Sequence, residues 1–382
     1  MILLLPSVVL TTVLYCLTIV LFMIGMSFKK RYGLAAKPQA SVIIAARNEE
    51  ANIGGILSDL SQQDYPPDRF EVIVADDHST DGTARVVNDW ADKCPAIRLL
   101  TVGKLPPSFS PKKYALQQAA ALATGEIILA TDADCRVGPQ WISAMVEQFD
   151  ERVGFVIGFS QFGRRGDRQN LIERLQALDF VTLMGAACGS ANWGVPLAAS
   201  GQNMAYRKRL FEQVGGYRRV AHRISGDDVL LLQLIRRQTG CRVAFAADPR
   251  TYAVSAPQAT LMELINQRKR WASNGAYQLL LNPVFFAYLA LVFSFNAALL
   301  IGLPAALITG RGLATVGGGI AARFVFEGLM TVRSALYFRR GDLIKYFPLW
   351  FVLQMPYIVS VGLWGTFGKF TWKNRVHNAQ TR

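Results

Sequence analysis

The sequence predicts an α/β fold: a mostly parallel sheet with helices on both faces, carried between transmembrane helices at both ends of the chain. Three observations predict it. Uncharged apolar runs occupy the two ends. Between them, short β-branched runs alternate with helix-compatible stretches, the pattern of a parallel sheet with covering helices. Polar clusters fall directly after the β-branched runs, where such sheets bind ligands.

Composition bounds the reading. Of 382 residues, 51% are hydrophobic and 18% charged, which is apolar for a soluble chain yet too polar for one lying wholly in membrane. Lys plus Arg exceed Asp plus Glu by 41 − 27, a net +14. In a membrane chain such a surplus marks cytoplasmic faces near anionic lipid. No aromatic-basic module accompanies it, so no nucleic-acid partner is expected. Cys16, Cys94, Cys135, Cys188 and Cys241 are scattered without a CxxC pair. They form neither a disulfide framework nor a zinc site, and fit a reducing compartment.

Met1 to Met26 carries no charged side chain and exceeds the ~20 residues that a spanning helix needs. It lacks the positive n-region and small-residue cleavage site of a signal peptide. Residues 1–28 therefore read as an N-terminal anchor. Lys29, Lys30 and Arg31 follow at once, which directs the next segment to the cytoplasm by the positive-inside rule. The expected location is the inner (plasma) membrane, multi-pass, with the globular part cytoplasmic. Residues 282–370 form the expected C-terminal membrane region. Pro283–Gly310 and Tyr346–Gly368 are uncharged, whereas Gly312–Phe338 contains Arg323, Glu327 and Arg333. Charges that deep are costly unless paired or turned to a protein interior. Either this stretch spans with Arg323 and Glu327 one turn apart, or it lies at the interface. A span there would leave Lys369, Lys373 and Arg375 outside, against the usual bias. Three or four spans are expected in all.

Residues 38–275 form the expected globular domain. Ser41–Ala46 is a β-branched run, followed by a helix-compatible Glu49–Gln63. Glu71–Ala75 is the next strand and Thr80–Asp92 the next helix. Ile97–Val102, Lys112–Ala123 and Glu126–Thr131 continue the alternation. Arg47-Asn48-Glu49, Asp76-Asp77 and Asp132-Ala-Asp134 sit at three separate strand ends. Gln169–Met184 is apolar at helical spacing and reads as core packing, with an acceptor-lining groove as the alternative.

Asp132 and Asp134, at i and i+2 after a strand, can share a hard divalent cation such as Mg²⁺ or Mn²⁺, which takes oxygen ligands together with substrate phosphates. Alone such a triplet is weak, since surface turns supply it often. Asp76 and Asp77 end another strand and suit hydrogen bonds to a base or ribose. Ser79–Asp81 read as the N-cap of the following helix, and His78 as a turn residue. Lys112 and Lys113 open a helix, where a cation can meet a phosphate.

The motifs AARNEE (Ala45–Glu50), ADDHSTDGT (Ala75–Thr83), PKKYAL (Pro111–Leu116) and TGEIILATDADC (Thr124–Cys135) occur in the order and spacing of one family. SGQNMAYRKRLFEQVGGY (Ser200–Tyr217), SGDDVLLLQLI (Ser225–Ile235) and QRKRW (Gln267–Trp271) extend the match. Over roughly Ser41–Trp271 the chain resembles family 2 glycosyltransferases, in particular the membrane-anchored Q-x-x-R-W branch of synthases and lipid glycosyltransferases. That resemblance implies a GT-A fold and inverting transfer from a nucleotide sugar, UDP- or GDP-linked. It implies donor binding by Ala45, Arg47, Glu49, Asp76, Asp77, Lys112, Asp132, Asp134 and Arg270, with Asp132 and Asp134 on Mg²⁺ or Mn²⁺. It implies Asp228 as general base, with Asp227, Gln267 and Trp271 on the acceptor side. The plain alternatives are a helix-terminal carboxylate for Asp228 and an amphipathic interfacial helix for QRKRW. Three positions depart from the family pattern. Pro111 and His78 stand where glycine is usual, and Asp227 opens the acidic pair where Glu or Thr is usual.

The expected activity is sugar transfer to a membrane lipid acceptor, such as a polyprenyl phosphate, a glycerolipid or a hydroxylated carotenoid. A processive polysaccharide synthase is the alternative, favoured by QRKRW but short of spans for a channel. A nucleotidyltransferase would share the fold and release pyrophosphate. A transporter or scaffold would need no DxD.

Overall fold

The computed structural model describes residues 4–28, 33, 37–372 and 375–378. The Lys29-Lys30-Arg31 cluster and Lys373 lie outside the described residues. The first half runs α1 (Leu4–Met26), β1 (Ala40–Ala46), α2 (Ile53–Ser61), β2 (Phe70–Asp76), α3 (Thr83–Ala91), β3 (Ile97–Thr101), α4 (Pro111–Leu122), β4 (Ile127–Asp132), β5 (Arg136–Val137), α5 (Trp141–Val146), β6 (Val153–Gly158) and β7 (Ser160–Phe162). Then come α6 (Leu171–Asn192), β8 (Met204–Arg207), α7 (Lys208–Gln213), α8 (Val229–Thr239), β9 (Arg242–Ala246) and β10 (Ala253–Ser255). The last part holds α9 (Leu261–Ala272), α10 (Gln278–Leu281), α11 (Pro283–Thr309), α12 (Leu313–Tyr337), α13 (Phe347–Phe367) and the hairpin β11 (Lys369–Trp372) and β12 (Arg375–Asn378).

The chain divides into two compact units. Of the described residues, one comprises 33, 37–164 and 194–256. Its seven-stranded sheet has the order β3-β2-β1-β4-β8-β6-β9. β1 pairs in parallel with β2 and β4, and β2 with β3, while β8 runs antiparallel to both β4 and β6. The four strands expected between Ser41 and Thr131 are present, each within two residues of its expected bounds. Ile43 and Ile44 on β1, and Ile73 and Val74 on β2, are all fully buried. Because adjacent strand residues point to opposite faces, both faces of the sheet are covered. Ile53, Ile56, Leu57 and Leu60 form the inward stripe of α2, each such side chain stabilising by roughly 1.5–3 kcal/mol on burial. The register pairs Ala45 with Ala75 and with Asp132, which brings the carboxyl ends of β1, β2 and β4 level.

The other unit comprises, of the described residues, 4–28, 165–193, 257–372 and 375–378. Among the described residues, four stretches are long and apolar enough to cross a membrane: Leu4–Met26, Pro283–Thr309, Leu313–Tyr337 and Gly341–Phe367. α1 and α6 approach backbone to backbone. A Cβ at Gly25 would lie 2.3 Å from the Gly189 carbonyl oxygen, and one at Gly189 would lie 2.3 Å from that of Phe22, so only glycine fits this crossing. Trp193 Nε1 locks it by donating to the Leu21 carbonyl at 2.7 Å. Leu175, Leu178 and Phe180 of α6 are buried, whereas Leu171 and Leu183 are exposed; most of its apolar stripe is core.

The charges in Leu313–Tyr337 turn inward. Arg323 is fully buried and its Nε donates to Glu327 Oε1 at 3.0 Å, one helical turn away. The Tyr15 hydroxyl donates to the same oxygen at 2.6 Å, and Arg323 Nη2 donates to Gln354 Oε1 at 3.0 Å. Pairing inside the bundle is how ionisable groups are accommodated in a helix that is otherwise apolar.

Candidate functional site

The loops after β1 and β2 are stapled to each other. Asn48 and His78 both adopt left-handed backbone, at φ 54° and 55°. Left-handed backbone is the conformation glycine adopts without penalty, so a histidine at position 78 meets the same geometry at some strain. Asn48 Oδ1 accepts from the Thr80 amide at 2.8 Å, and the Asn48 amide donates to Ser79 Oγ at 2.9 Å. Glu50 Oε2 accepts from the Gly82 amide at 2.9 Å. A Cβ at Gly82 would lie 2.1 Å from Glu50 Oε1, so a side chain there would have to displace the Glu50 carboxylate.

The expected N-cap at Ser79–Asp81 is only partly realised. The position preceding α3 is Gly82. Asp81 Oδ1 accepts from the Thr83 amide at 3.0 Å, but Ser79 is committed to Asn48. A hydroxyl facing a neighbouring loop satisfies that loop's amide and so does not cap its own helix.

Asp76 and Asp77 stand at the tip of β2, both buried. The Asp77 amide donates to the Ala46 carbonyl at 2.8 Å, and Arg47 Nη1 pairs with Asp77 Oδ2 at 3.2 Å. Asp76 Oδ1 accepts from the Ser79 amide at 3.3 Å. Ala45 lies beside them on β1, level with Asp132.

Asp132 ends β4, and Asp134 follows in the turn and opens to solvent. Partial desolvation, then the charges of Asp132 and Glu49, push Asp134 up to about 6. Three carboxylates are thus crowded at one strand end. α4 delivers a cation to them. Ser110 precedes α4 in extended backbone and Pro111 occupies the first helical turn, where its missing N–H costs nothing and its fixed φ is already helical. Pro111 in place of glycine therefore leaves the helix start intact. Lys112 Nζ donates to Asp132 Oδ1 at 2.8 Å and to Asp227 Oδ2 at 2.9 Å. The sequence expected a phosphate contact for Lys112; the partners the structure gives it are two carboxylates.

Asp227 and Asp228 arrive from the loop before α8, after Gly226 at φ 83°. Burial alone would raise the Asp227 carboxyl, but Lys112 and then Lys113 hold it below the ordinary carboxylate range. Asp228 goes the other way. Burial, then the neighbouring charge of Asp227, pushes it up to about 6. Its carboxylate is aimed by two backbone amides, Gly201 N to Oδ2 at 2.9 Å and Val229 N to Oδ1 at 2.6 Å. A Cβ on Gly201 would lie 3.0 Å from Asp227 Oδ2. Lys113, fully buried, donates to the Ser225 carbonyl at 2.8 Å and to the Arg223 carbonyl.

One unit therefore gathers Glu49, Asp132, Asp134, Lys112, Asp227 and Asp228, with Arg47, Asp76 and Asp77 at the neighbouring strand tips. Gln267, Arg270 and Trp271 belong to the other unit, on α9, which opens with a capping box between Thr260 and Glu263. The inward member of that motif is Arg268. Its Nη2 lies 2.8 Å from Asp179 Oδ2, and its guanidinium stacks 4.3 Å above the Trp271 ring. Gly201 and Lys113 make contacts that no local pattern marks, because each meets a loop remote in sequence. Arg268 was legible only as one cation of a basic motif.

The glycosyl transferase family 21 model matches residues 5–380. The chain belongs to that family. This family 21 member is 27% identical over 260 residues to the probable glycosyltransferase YdaM of Bacillus subtilis, covering 66% of this chain and 59% of the relative. It is 35% identical over 112 residues to the beta-monoglucosyldiacylglycerol synthase of a Synechocystis species, covering 29% of this chain and 23% of that one. The chain thus matches less than two thirds of the length of these relatives. In fold it is similar to the mannosyltransferase PcManGT of Pyrobaculum calidifontis, solved with GDP-Man and Mn²⁺, at TM-score 0.64 and 22% identity, covering 95% of this chain and 98% of that one. The GT-A fold expected from the sequence is the fold observed.

Proposed function

We propose that this family 21 member transfers a sugar, with inversion, from a UDP- or GDP-linked donor to a hydroxyl of a membrane-associated lipid. The observation that carries the reading is Lys112, whose one ammonium ties Asp132 of the donor-side pair to Asp227 of the acidic pair. In this reading residues 38–275 hold the chemistry, and residues 1–28 and 282–370 lie in the membrane.

Asp228 takes the proton from the acceptor hydroxyl. That oxygen forms the new glycosidic bond from the face opposite the diphosphate, and the sugar–phosphate bond breaks with its electron pair leaving on the nucleoside diphosphate. A carboxylate raised to about 6 is a better base near neutrality than an ordinary one. Its two amide contacts leave lone pairs for the proton, since an ionised carboxylate offers about four acceptor sites. Asp227, held ionised by Lys112, orients the acceptor. Arg47, Glu49, Asp76 and Asp77, with Ala45 at the strand end, receive the nucleotide; Arg270 faces the diphosphate, and Gln267 and Trp271 line the acceptor path.

No group of three or more His, Cys, Asp or Glu residues arranged to hold a metal occurs among the described residues. The crowding of Asp134 by Asp132 and Glu49 fits a divalent cation held by Asp132 and Asp134, its other ligands being donor phosphate and water. Bound Mg²⁺ or Mn²⁺ supplies neutralisation of the charge that develops on the departing diphosphate. The Mn²⁺ and GDP-Man with PcManGT, and the diacylglycerol product class in the Synechocystis relative's name, support the cofactor and acceptor assignments.

Membranes containing the full chain, incubated with a panel of labelled nucleotide sugars, should yield labelled lipid extract and free nucleoside diphosphate. Release of pyrophosphate instead would make it a nucleotidyltransferase, and long aqueous polymer would make it a processive synthase, the reading that QRKRW favours. The basic run at Lys29–Arg31 supports a cytoplasmic catalytic unit. A reporter inserted near Asp81 should be active only on the cytoplasmic side; activity only in the exterior compartment would reverse the orientation.

A further inference from the structure

One helix holds the whole segment that carries the acidic pair. Gln117 Oε1 of α4 accepts from the Tyr217 amide at 2.8 Å, and the Ser110 amide at its start donates to the Ala221 carbonyl at 2.7 Å. Lys113 Nζ then donates to the carbonyls of Arg223 and Ser225, and Lys112 Nζ meets Asp227. Residues 221, 223, 225 and 227 are therefore fixed alternately by the first turn of α4.

Lys113 is the costly member of this set. It is 1% exposed, and a buried ammonium is tolerated only when paired and hydrogen-bonded. An apolar side chain would pack there without that cost. The gain from a cation is geometric. The amine offers two donors from one point even with burial pushing its pKa down to about 7, so it can hold both loop carbonyls at once. The second carbonyl belongs to Ser225, which feeds Gly226 at φ 83°. Glycine populates both signs of φ with similar ease, so the Ser225–Gly226 peptide has no intrinsic reason to keep one orientation. The hydrogen bond from Lys113 restrains it on the Ser225 side, two residues before Asp227 and three before Asp228, while the Leu230 amide holds the Gly226 carbonyl at 3.1 Å.

We infer that Lys113 is a positioning residue that sets the Ser225–Gly226 peptide and thereby the aim of Asp227 and Asp228. The inference rests on the reading of Asp228 as the base. Lys113 touches neither donor nor acceptor in this account. A misplacement of about 1 Å at a reacting group can cost 10²-fold in rate, which sets the expected effect.

The test uses the full chain in phospholipid nanodiscs with Mn²⁺, the active nucleotide sugar from the panel, and polar lipid extract as acceptor. Lys113→Met should lower kcat by about 10²-fold while the donor KM stays within about threefold. Lys113→Gln should lose less, because its amide still donates to a carbonyl. A kcat for Lys113→Met within twofold of wild type overturns the inference. So does a parallel collapse of kcat and donor binding, or failure of both variants to fold, since either makes Lys113 a determinant of the fold and not of aim. Asp228→Asn is measured beside them. If it stays active, the base assignment fails; if it is inactive while Lys113→Met is normal, only the role of Lys113 fails.

Discussion

Lys112 and Asp227 meet at 2.9 Å between Nζ and Oδ2, and this contact splits two adjacent carboxylates into different states. Asp227 is held ionised by the ammonium, while Asp228, buried beside it, is pushed up to about 6. Neighbouring acids driven apart by their surroundings mark a division of labour between a fixed charge and a proton acceptor.

Asp228→Asn should therefore abolish proton acceptance while keeping the shape of the side chain. The expected loss is roughly 10²–10⁴-fold in acceptor-dependent transfer, with donor affinity retained. Asp227→Asn should lose less, since an amide can still orient the acceptor. Steady-state transfer beside nucleotide binding measures both. Near wild-type transfer by Asp228→Asn would leave that residue a helix-terminal carboxylate and nothing more.

The pH dependence follows from the same group. As the proposed base Asp228 would act ionised, and its folded-state pKa lies above the ordinary carboxylate range, at about 6. Transfer should hold on the alkaline side and fall as pH drops through about 6, approaching tenfold per unit well below it. A profile of kcat at saturating donor checks this. An acid limb near the ordinary carboxylate value of about 4 would mean that the limiting base is another group.

Chelation tests the carboxylates of β4. Excess chelator should stop both transfer and slow donor hydrolysis, and added Mn²⁺ or Mg²⁺ should restore them. Asp134→Asn should raise the metal concentration needed for half activity. Full activity in chelator would remove the metal from the mechanism.

Arg323 and Glu327 test the membrane unit. Arg323→Met leaves a buried carboxylate uncompensated, at a cost of about 3–5 kcal/mol. The double change Arg323→Met with Glu327→Leu removes both charges and should recover most of that loss, short of the orphaned Tyr15 hydroxyl. Thermal unfolding in detergent measures each. Equal destabilisation by the single and double changes would show that the carboxylate left behind carries no penalty of its own.

Much of this was legible in the chain itself. β-branched runs such as Ser41–Ala46 and Glu71–Ala75 encode strands locally, and the polar residues that follow them had to emerge at strand ends. The uncharged ends announced membrane helices because length and apolarity alone decide that a helix can span. Ser79 was read as a cap because capping is a local pattern, and the neighbouring loop took its hydroxyl instead.

The sequence by itself determined the α/β alternation, the apolar helices at both ends and the chemical types gathered at the site. Tertiary structure alone decided partners. It assigned Lys112 to Asp132 and Asp227, Lys113 to the Arg223 and Ser225 carbonyls, Arg268 to Asp179, and Arg323 to Glu327. The reason is physical: backbone conformation follows from near neighbours along the chain. The group that a charged tip meets depends on which remote loops fold against it, and on the cost of burying that charge alone.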